Sequence, residues 1–208
     1  MKKYNQIIEH YENCLEKHGD THLGVDWPNL EDVNLRYNIM LDVLNFRKSE
    51  DYISFLDFGC GTAHLYEYIS RLGLNNIEYS GLDISRKFID VCVQKFPSIN
   101  FYCGDILEQN FEIENFDYII MNGVFTEKRG LTFDEMFKYF QELTDKVFSI
   151  CNKGVAFNVM SKNVDWERGD LFHLSHDLLT EFLCKKITRN YIIRNDYGLY
   201  EYTVYLFK

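Results

Sequence analysis

Two closely spaced glycines follow an acid at the end of an apolar run in FLDFGCGTAHL, residues 55–65. The run breaks at Asp57, and Gly59 and Gly61 come next, which is typical of a buried strand that turns abruptly into a helix. Glycine permits positive φ angles and a close approach of the backbone to a ligand, because it has no Cβ. The free N–H groups at the start of the following helix point to the same place. The segment therefore predicts a turn that binds a ligand.

Two further acids end later apolar runs. Asp83 closes IEYSGLD about 20 residues after the glycines, where a carboxylate can accept hydrogen bonds from both ribose hydroxyls of an adenosine. Asp105 closes INFYCGD, in position to meet an exocyclic amine. Because ligands of open α/β sheets bind beyond the carboxyl ends of the strands, the three features converge on one adenosine. Either acid could instead cap the element that follows it, although Ser85 already suits that role after Asp83.

The elements that must position these residues alternate along the chain. Two amphipathic helices, the first expected to end at Gly19, precede the first strand. Five apolar runs then alternate with helical segments, one of which opens with a capping box of Thr132 and Glu135. Two β-rich runs around NDYG predict a final antiparallel hairpin. The pattern predicts an α/β protein with a mostly parallel sheet. The five apolar runs are YISFLDF, IEYSGLD, INFYCGD, FDYIIMN and GVAFNVM.

Composition and charge narrow the class of protein. The 208 residues suffice for one domain, and 46% of them are hydrophobic. A formal net charge of −10 disfavours a nucleic-acid partner, although the adjacent Lys128 and Arg129 could form a basic pocket if they are not a solvated loop. Six scattered cysteines without a CxxC pair indicate reduced thiols. With no apolar leader or membrane-spanning run, we expect a soluble, cytoplasmic protein that has no membrane partner.

These motifs resemble those of the class I S-adenosylmethionine-dependent methyltransferases over residues 53–208. LDFGCGTA matches the first motif, GLDIS the second, CGDIL the third and FDYIIMNGVF the fourth-strand segment. The resemblance implies S-adenosylmethionine (SAM) as cofactor and a Rossmann-like seven-stranded sheet, mostly parallel, with the antiparallel C-terminal hairpin. One position departs from the pattern, because Ala63 stands at the third small position of the glycine motif. Alanine adopts positive φ at a cost, so we expect residue 63 to lie already in the helix.

The resemblance also assigns the parts of the cofactor to the ends of the first four strands. The residues that it implies are Asp57, Gly59, Cys60 and Gly61 for the methionine moiety, Asp83 for the ribose, Ile84, Asp105 and Ile106 for the adenine, and Asn122 and Gly123 for the sulfonium.

The N-terminal segment is similar to that of a smaller bacterial subgroup associated with surface-polysaccharide gene clusters. The similarity rests on Gly24, Trp27 and Arg36–Tyr37, and on the final NDYGLYEYTVYLF. It implies that residues 1–50 form a helical lid over a core of residues 51–208 within a single domain. Trp27 and Arg36 would then join the cofactor site, with the Arg36 guanidinium holding the cofactor carboxylate bidentately. Alternatively, Arg36 is a surface arginine on the second helix.

Methyl transfer from a sulfonium is an in-line displacement, so alignment and exclusion of water matter more than an elaborate catalytic triad. A nearby base helps if the acceptor is a hydroxyl, and His22 in the lid and His173 near the short helix are the candidates, unless each is a simple polar contact. HLSH at residues 173–176 lacks accompanying ligands, so we predict no metal site. Asn158 and Tyr197 either border the acceptor pocket or satisfy turn backbone.

The end of the fourth strand bears on the acceptor. It reads MNGVF, which differs from the Asn-Pro-Pro-aromatic signature of methyltransferases that act on base or glutamine nitrogens. Together with the acidic charge, this favours a small-molecule acceptor. The subgroup resemblance implies O-methylation in capsule or polysaccharide precursor synthesis, for instance of a sugar or a phosphoramidate-type group. The sequence leaves the acceptor itself, O- against N-methylation, and the oligomeric state open.

Two other classes of protein share parts of the pattern. A nicotinamide-dependent oxidoreductase also uses a glycine turn and an acid after the second strand, but its G-x-G-x-x-G would place glycine where His64 stands. It would also leave Asp105 and the terminal hairpin unexplained. A non-catalytic SAM-binding partner subunit, with the same fold and no acceptor pocket, is the second alternative.

Overall fold

One mixed sheet of eight strands runs through the residues that the computed structural model describes, which are 2–46 and 52–208. The strands are β1 (Ile53–Phe58), β2 (Ile77–Asp83), β3 (Asn100–Cys103), β4 (Phe116–Phe125), β5 (Cys151–Ser161), β6 (His173–Leu174), β7 (Tyr191–Arg194) and β8 (Glu201–Phe207). Seven of them follow the order β3-β2-β1-β4-β5-β8-β7, and β6 pairs with the end of β5. β1 to β5 run parallel to one another, whereas β8 is antiparallel to both β5 and β7. The predicted Rossmann-like sheet with its antiparallel hairpin is confirmed, and β6 is a short addition to it.

Helices connect the strands and pack on the sheet. The α-helices are α1 (Asn5–His18), α2 (Leu30–Leu41), α3 (His64–Leu72), α4 (Arg86–Lys95), α5 (Phe133–Ser149) and α6 (His176–Phe182). Short 3-10 turns occupy His22–Val25 and Asp42–Phe46, and a π turn at Leu183–Ile187 extends α6. No helix in the described part of the chain combines the length and the apolar character that a membrane span requires.

Local sequence signals account for where several helices begin and end. α1 ends at Gly19, as predicted, with a φ of 64° there. The predicted capping box of α5 is confirmed, because Thr132 Oγ1 accepts from Glu135 N and Thr132 N donates to the Glu135 carboxylate. Ser85 stands at the N-cap of α4 as predicted, but its hydroxyl donates to Glu12 Oε1 at 2.7 Å instead of capping the helix.

Apolar layers cover both faces of the sheet. On one face α5 packs aromatic rings against β4 and β5, where Phe125, Phe140 and Phe157 are fully buried. On the other face α2 and α3 contribute the buried Met40 and Leu65. Removing each such side chain from water stabilises the fold by roughly 1.5–3 kcal/mol. Every residue of β8 is buried as well.

Ala63 overturns one prediction about the turn that follows β1. It does not belong to the helix but precedes α3 as its N-cap, in the left-handed region with a φ of 62°. Its N–H donates to Cys60 O at 2.9 Å, and its side chain is fully buried. The left-handed conformation costs alanine about 1–2 kcal/mol. Closure of the turn and burial of the methyl group outweigh that cost. Alanine therefore occupies a position with positive φ, where glycine would carry no strain.

The two helices of the predicted lid lie in different places. α2 packs in the core, and the hydroxyl of Tyr205 on β8 donates to its Ile39 carbonyl. α1 crosses the start of α4, where Glu12 binds both Ser85 and Lys87. The predicted boundary between lid and core, at residues 50 and 51, lies outside the described residues.

Candidate active site

A cavity opens at the carboxyl ends of β1, β2 and β4, below α1. The predicted site residues that line it are Trp27, Asp57, Gly59, Cys60, Gly61, Asp83, Ile84, Asp105, Asn122 and Gly123. The structure therefore brings the three strand-end features to one place, as the sequence predicts.

The turn after β1 forms one wall of this cavity. The amides of Gly59 and Cys60 both donate to Leu82 O, at 2.7 and 3.0 Å, which ties the turn to the end of β2. Gly59 and Gly61 have φ angles of 74° and 54°. A Cβ on Gly59 would come within 2.8 Å of a Val124 methyl group, so glycine is required there for space as well as conformation.

Asp83 connects the turn to the next helix. Its Oδ2 accepts from Gly61 N at 3.0 Å and its Oδ1 accepts from Ser85 N at 2.9 Å. Asp83 thus accepts a hydrogen bond from the backbone at the start of the next element, as the capping alternative predicts. Each carboxylate oxygen keeps a second lone pair for a ligand hydroxyl. Burial raises the pKa of Asp83 to about 6, despite the hydrogen bonds from the backbone.

Asp57 is a second buried carboxylate on the same wall. It is 3% exposed and accepts a hydrogen bond from Tyr79 Oη at 2.7 Å. Burial raises the pKa of Asp57 to about 7, and the charge of Asp83 adds to the increase. A cation in the cavity would favour the ionised form of both acids.

Asp105 lies at the far end of the cavity, where the N-terminal segment already contacts it. Lys2 Nζ and Tyr4 Oη both donate to Asp105 Oδ2, and Leu107 N donates to Oδ1 at 2.9 Å. Burial alone would raise the pKa of Asp105, but the hydrogen bonds from Lys2 and Tyr4 outweigh it and hold the pKa below its usual value. The Tyr4 ring stacks on Tyr139 with centroids 4.5 Å apart. The carboxylate predicted to meet adenine is therefore engaged by residues of the chain itself.

Two predicted cofactor residues do not line the cavity. Ile106 is 1% exposed and packs in the core below it, because its side chain points away from the rim. Arg36 donates from Nε to both carboxylate oxygens of Glu201, at 3.0 Å each, and its side chain is 12% exposed. Arg36 is therefore not a surface arginine, and it does not line the cavity, so its contact with the cofactor carboxylate stays a prediction.

The end of β4 forms the opposite wall. Gly123 has a φ of 83°, and its N–H donates to Asn158 Oδ1 at 2.8 Å. Asn158 therefore satisfies turn backbone, one of its two predicted roles. The neighbouring Asn122 lines the cavity, and its buried Oδ1 has no hydrogen-bond partner among the described residues. An unpaired amide oxygen is an acceptor for an N–H group of a ligand.

The predicted bases fall outside the main cavity. His173 is 5% exposed, with Nδ1 at 2.6 Å from Ser161 O and Nε2 accepting from Arg168 N at 3.3 Å. Since backbone groups engage both ring nitrogens, the prediction of His173 as a base is not supported. His22 lies in the first 3-10 turn and borders a second cavity, which shares Tyr37 and His64 with the main one.

Other polar residues also serve internal contacts. The hydroxyl of Tyr197 lies 2.9 Å from Thr203 Oγ1. Lys128 Nζ donates to backbone carbonyls, and the Arg129 guanidinium pairs with Asp26 at 3.2 Å. The two adjacent cations thus form neither a solvated loop nor a basic pocket.

Several lining residues escaped sequence reasoning. His64 at the start of α3 lies 2.9 Å from Asp20, and burial lowers the pKa of this imidazole. α1 and the residue before it contribute aromatic and aliphatic side chains to the roof of the cavity, and α5 adds one more ring. These residues are Tyr4, Ile7, Ile8, Tyr11 and Tyr139. The apolar stripe of α1 was visible in the sequence, but nothing in it distinguished a cavity roof from an ordinary core face.

Residues 55–147 match the model of a methyltransferase domain family. That segment contains the glycine turn, Asp83, Asp105 and the end of β4. The match covers slightly less than half of the chain.

Individual proteins are similar to more of the chain. Rv1506c of Mycobacterium tuberculosis, which carries a provisional methyltransferase name, is 23% identical over 159 residues, covering 74% of this chain and 92% of that protein. Magnesium protoporphyrin IX methyltransferase from Synechocystis PCC 6803, solved with bound SAM, aligns with a TM-score of 0.68 at 13% identity and covers 100% of this chain and 98% of its own. The plantazolicin methyltransferase BpumL aligns with a TM-score of 0.62 at 15% identity, over 98% of this chain and 90% of its own. At these identities the two structures establish the fold.

Proposed function

We propose that this protein binds SAM in the cavity and transfers its methyl group to a small molecule. The observation that carries the proposal is the charge of the lining. Asp57, Asp83 and Asp105 contribute three carboxylates, and none of the described lining residues is a lysine or an arginine. SAM carries a sulfonium, an ammonium and one carboxylate, so its net charge is positive. A dinucleotide would instead place a negatively charged pyrophosphate beside these acids, whose charges would repel it.

Each part of SAM would meet a different wall of the cavity. The turn with Gly59, Cys60 and Gly61 would hold the methionine moiety, with Asp57 and the unpaired Asn122 Oδ1 near its ammonium. Farther along the rim, Asp83 would accept from the ribose hydroxyls. Ile84 would pack on the adenine, whose amine would approach Asp105 if that carboxylate exchanges its present partners.

The methyl-donating end of SAM would lie at the end of β4. Gly123 and the Trp27 indole meet there, and SAM supplies the activated methyl carbon. The task left to the chain is to align donor and acceptor and to exclude water, which α1 does by covering the cavity. No base from the protein is needed if the acceptor oxygen or nitrogen is already nucleophilic.

The acceptor class rests on sequence resemblance. The N-terminal segment and the final strands favour O-methylation of a capsule or polysaccharide precursor, with residues 1–50 acting as the lid of a single domain. The fold itself does not select the acceptor, because a magnesium protoporphyrin IX methyltransferase and a plantazolicin methyltransferase share it. None of the six cysteines forms a disulfide in the described part of the chain, which supports a reducing location such as the cytoplasm.

Calorimetry with SAM, S-adenosylhomocysteine (SAH) and NAD tests the cofactor. We expect binding of SAM and SAH and none of NAD, and the reverse order would contradict the proposal. Labelled SAM incubated with a panel of nucleotide sugars and capsule precursors then tests transfer. Binding of SAM without transfer to any acceptor would favour the partner-subunit alternative.

A further inference from the structure

Glu201 is a buried carboxylate at the start of β8 that the proposed function does not use. It is 1% exposed, and both of its oxygens accept from Arg36 Nε at 3.0 Å. Asn158 Nδ2 donates to Oε1 at 2.9 Å. Neither Glu201 nor these two partners lines the cavity. A buried carboxylate is tolerated when a cation and hydrogen-bond donors pair with it. The contacts that Arg36 and Asn158 make with other residues therefore indicate what Glu201 does.

Each partner of Glu201 touches one side of the contact between the lid and the sheet. The guanidinium carbon of Arg36 lies 4.3 Å from the centroid of the Trp27 ring. Asn158 Oδ1 accepts from Gly123 N at 2.8 Å. Trp27 and Gly123 meet directly, because a Cβ on Gly123 would come within 2.7 Å of Trp27 Cζ2. The contacts form a closed ring of five residues that begins and ends at the Glu201 carboxylate. In order around the ring, the residues are Glu201, Arg36, Trp27, Gly123 and Asn158.

We propose that Arg36 and Glu201 are positioning residues that hold the Trp27 indole against Gly123 and so fix the roof of the cavity at its β4 end. The inference rests on the proposed function, because that end would face the sulfonium. Displacement of donor from acceptor by a fraction of a bond length slows such a transfer sharply. Loss of the ion pair would leave the sheet in place and let the indole move away from Gly123.

Tryptophan fluorescence tests the inference independently of any acceptor. The chain has two tryptophans, and Trp166 is 70% exposed, so the emission of a W166F protein reports Trp27. E201Q removes the carboxylate charge, whereas R36K keeps the positive charge but lacks the planar group that stacks on the indole. In either variant of the W166F protein, we expect acrylamide to quench Trp27 about twofold more strongly and the SAH dissociation constant to rise about tenfold.

A matched control breaks an ion pair at the other end of the same strands. Lys153 at the start of β5 pairs with Asp117 at the start of β4 at 3.0 Å, and K153M should change neither readout. Unchanged quenching in E201Q and R36K, each shown to be folded by circular dichroism, overturns the positioning role. If E201Q does not fold, R36K decides. If the W166F protein binds neither SAM nor SAH, the proposed function fails, while the quenching comparison still judges the ion pair.

Discussion

Asp57 and Asp83 are buried carboxylates in the lining of the cavity. Their burial lowers the stability of the folded protein, but it places two acids where a cationic ligand would bind. Burial raises their pKa values to about 7 and about 6, so the surroundings of both side chains disfavour the charged forms. A cationic ligand reverses that preference. The same groups therefore decide both how tightly the cavity binds and how the fold responds to pH.

Removal of the Asp83 carboxylate should weaken binding of the adenosine. We expect Asp83→Ala to raise the SAH dissociation constant by about ten- to a hundredfold, because each charge-assisted hydrogen bond to the ribose contributes roughly 1.5–3 kcal/mol. Calorimetry measures this, with the exposed Asp145 on α5 as the matched position for an Asp→Ala control. Equal affinity in a folded Asp83 variant would remove the ribose role.

Asp57 should make the free protein less stable as the pH rises. Its folded pKa of about 7 exceeds the unfolded value of about 3.9, so the folded state binds more protons between these values and its stability falls across that window. Asp57→Asn keeps an acceptor for Tyr79 and removes the titration. We expect the variant to gain stability over the wild type from about pH 4 to 7, by up to a few kcal/mol, with a constant gap above that. Urea unfolding at about pH 5 and pH 8 measures it, and a gap that does not widen would contradict the assignment.

At the scale of elements, α1 closes the cavity and is held by polar contacts along its length. Before the helix begins, Lys2 and Tyr4 donate hydrogen bonds to Asp105. In the middle of α1, Glu12 contacts Ser85 and Lys87. These contacts are partly exposed, so each is weak and reversible. If SAM binds with its adenine at Asp105, the contacts of Lys2 and Tyr4 with that carboxylate must open first.

Loosening the N-terminal contacts should therefore speed binding. In a W166F background, Lys2→Gln with Tyr4→Phe leaves Asp105 free while keeping the ring that stacks on Tyr139. We expect the association rate constant for SAH to rise about two- to fivefold, as measured by stopped-flow fluorescence of Trp27. Lys3→Gln serves as control, because Lys3 pairs with Glu135 outside the cavity. A slower or unchanged rate would show that Asp105 keeps its partners when the ligand binds.

The sequence predicted the elements well because their signals are local. Gly59 and Asp83 follow apolar runs directly, and spacing alone places them at strand ends. The conformation of Ala63 was missed, since the closure of the turn, and not residue preference, sets its φ. The partner of Arg36 was missed because Glu201 is 165 residues away and joins it through sheet order, which no local pattern encodes.

At the scale of the whole molecule, a net charge of −10 surrounds an acidic cavity. Such a field attracts cations and repels anions over distances comparable to the Debye length. The long-range field and the local carboxylates thus favour the same kind of ligand.

Salt should consequently separate SAM from SAH. SAM is a net cation near neutral pH, whereas SAH lacks the sulfonium and is a neutral zwitterion. Between about 20 and 200 mM NaCl, we expect the affinity for SAM to fall about two- to threefold while that for SAH stays nearly constant. Parallel calorimetric titrations at the two concentrations measure the difference. Equal losses for both ligands would indicate that the acids do not act through their charge.

The place of β8 between β5 and β7 has a consequence during synthesis. β5 emerges from the ribosome long before the final strand that covers its free edge. Until then the nascent chain presents a long, apolar, unpaired strand, which is the kind of surface that recruits chaperones or other nascent chains. Since β8 also brings Glu201, the ion pair with Arg36 cannot form before residue 201 has left the ribosome.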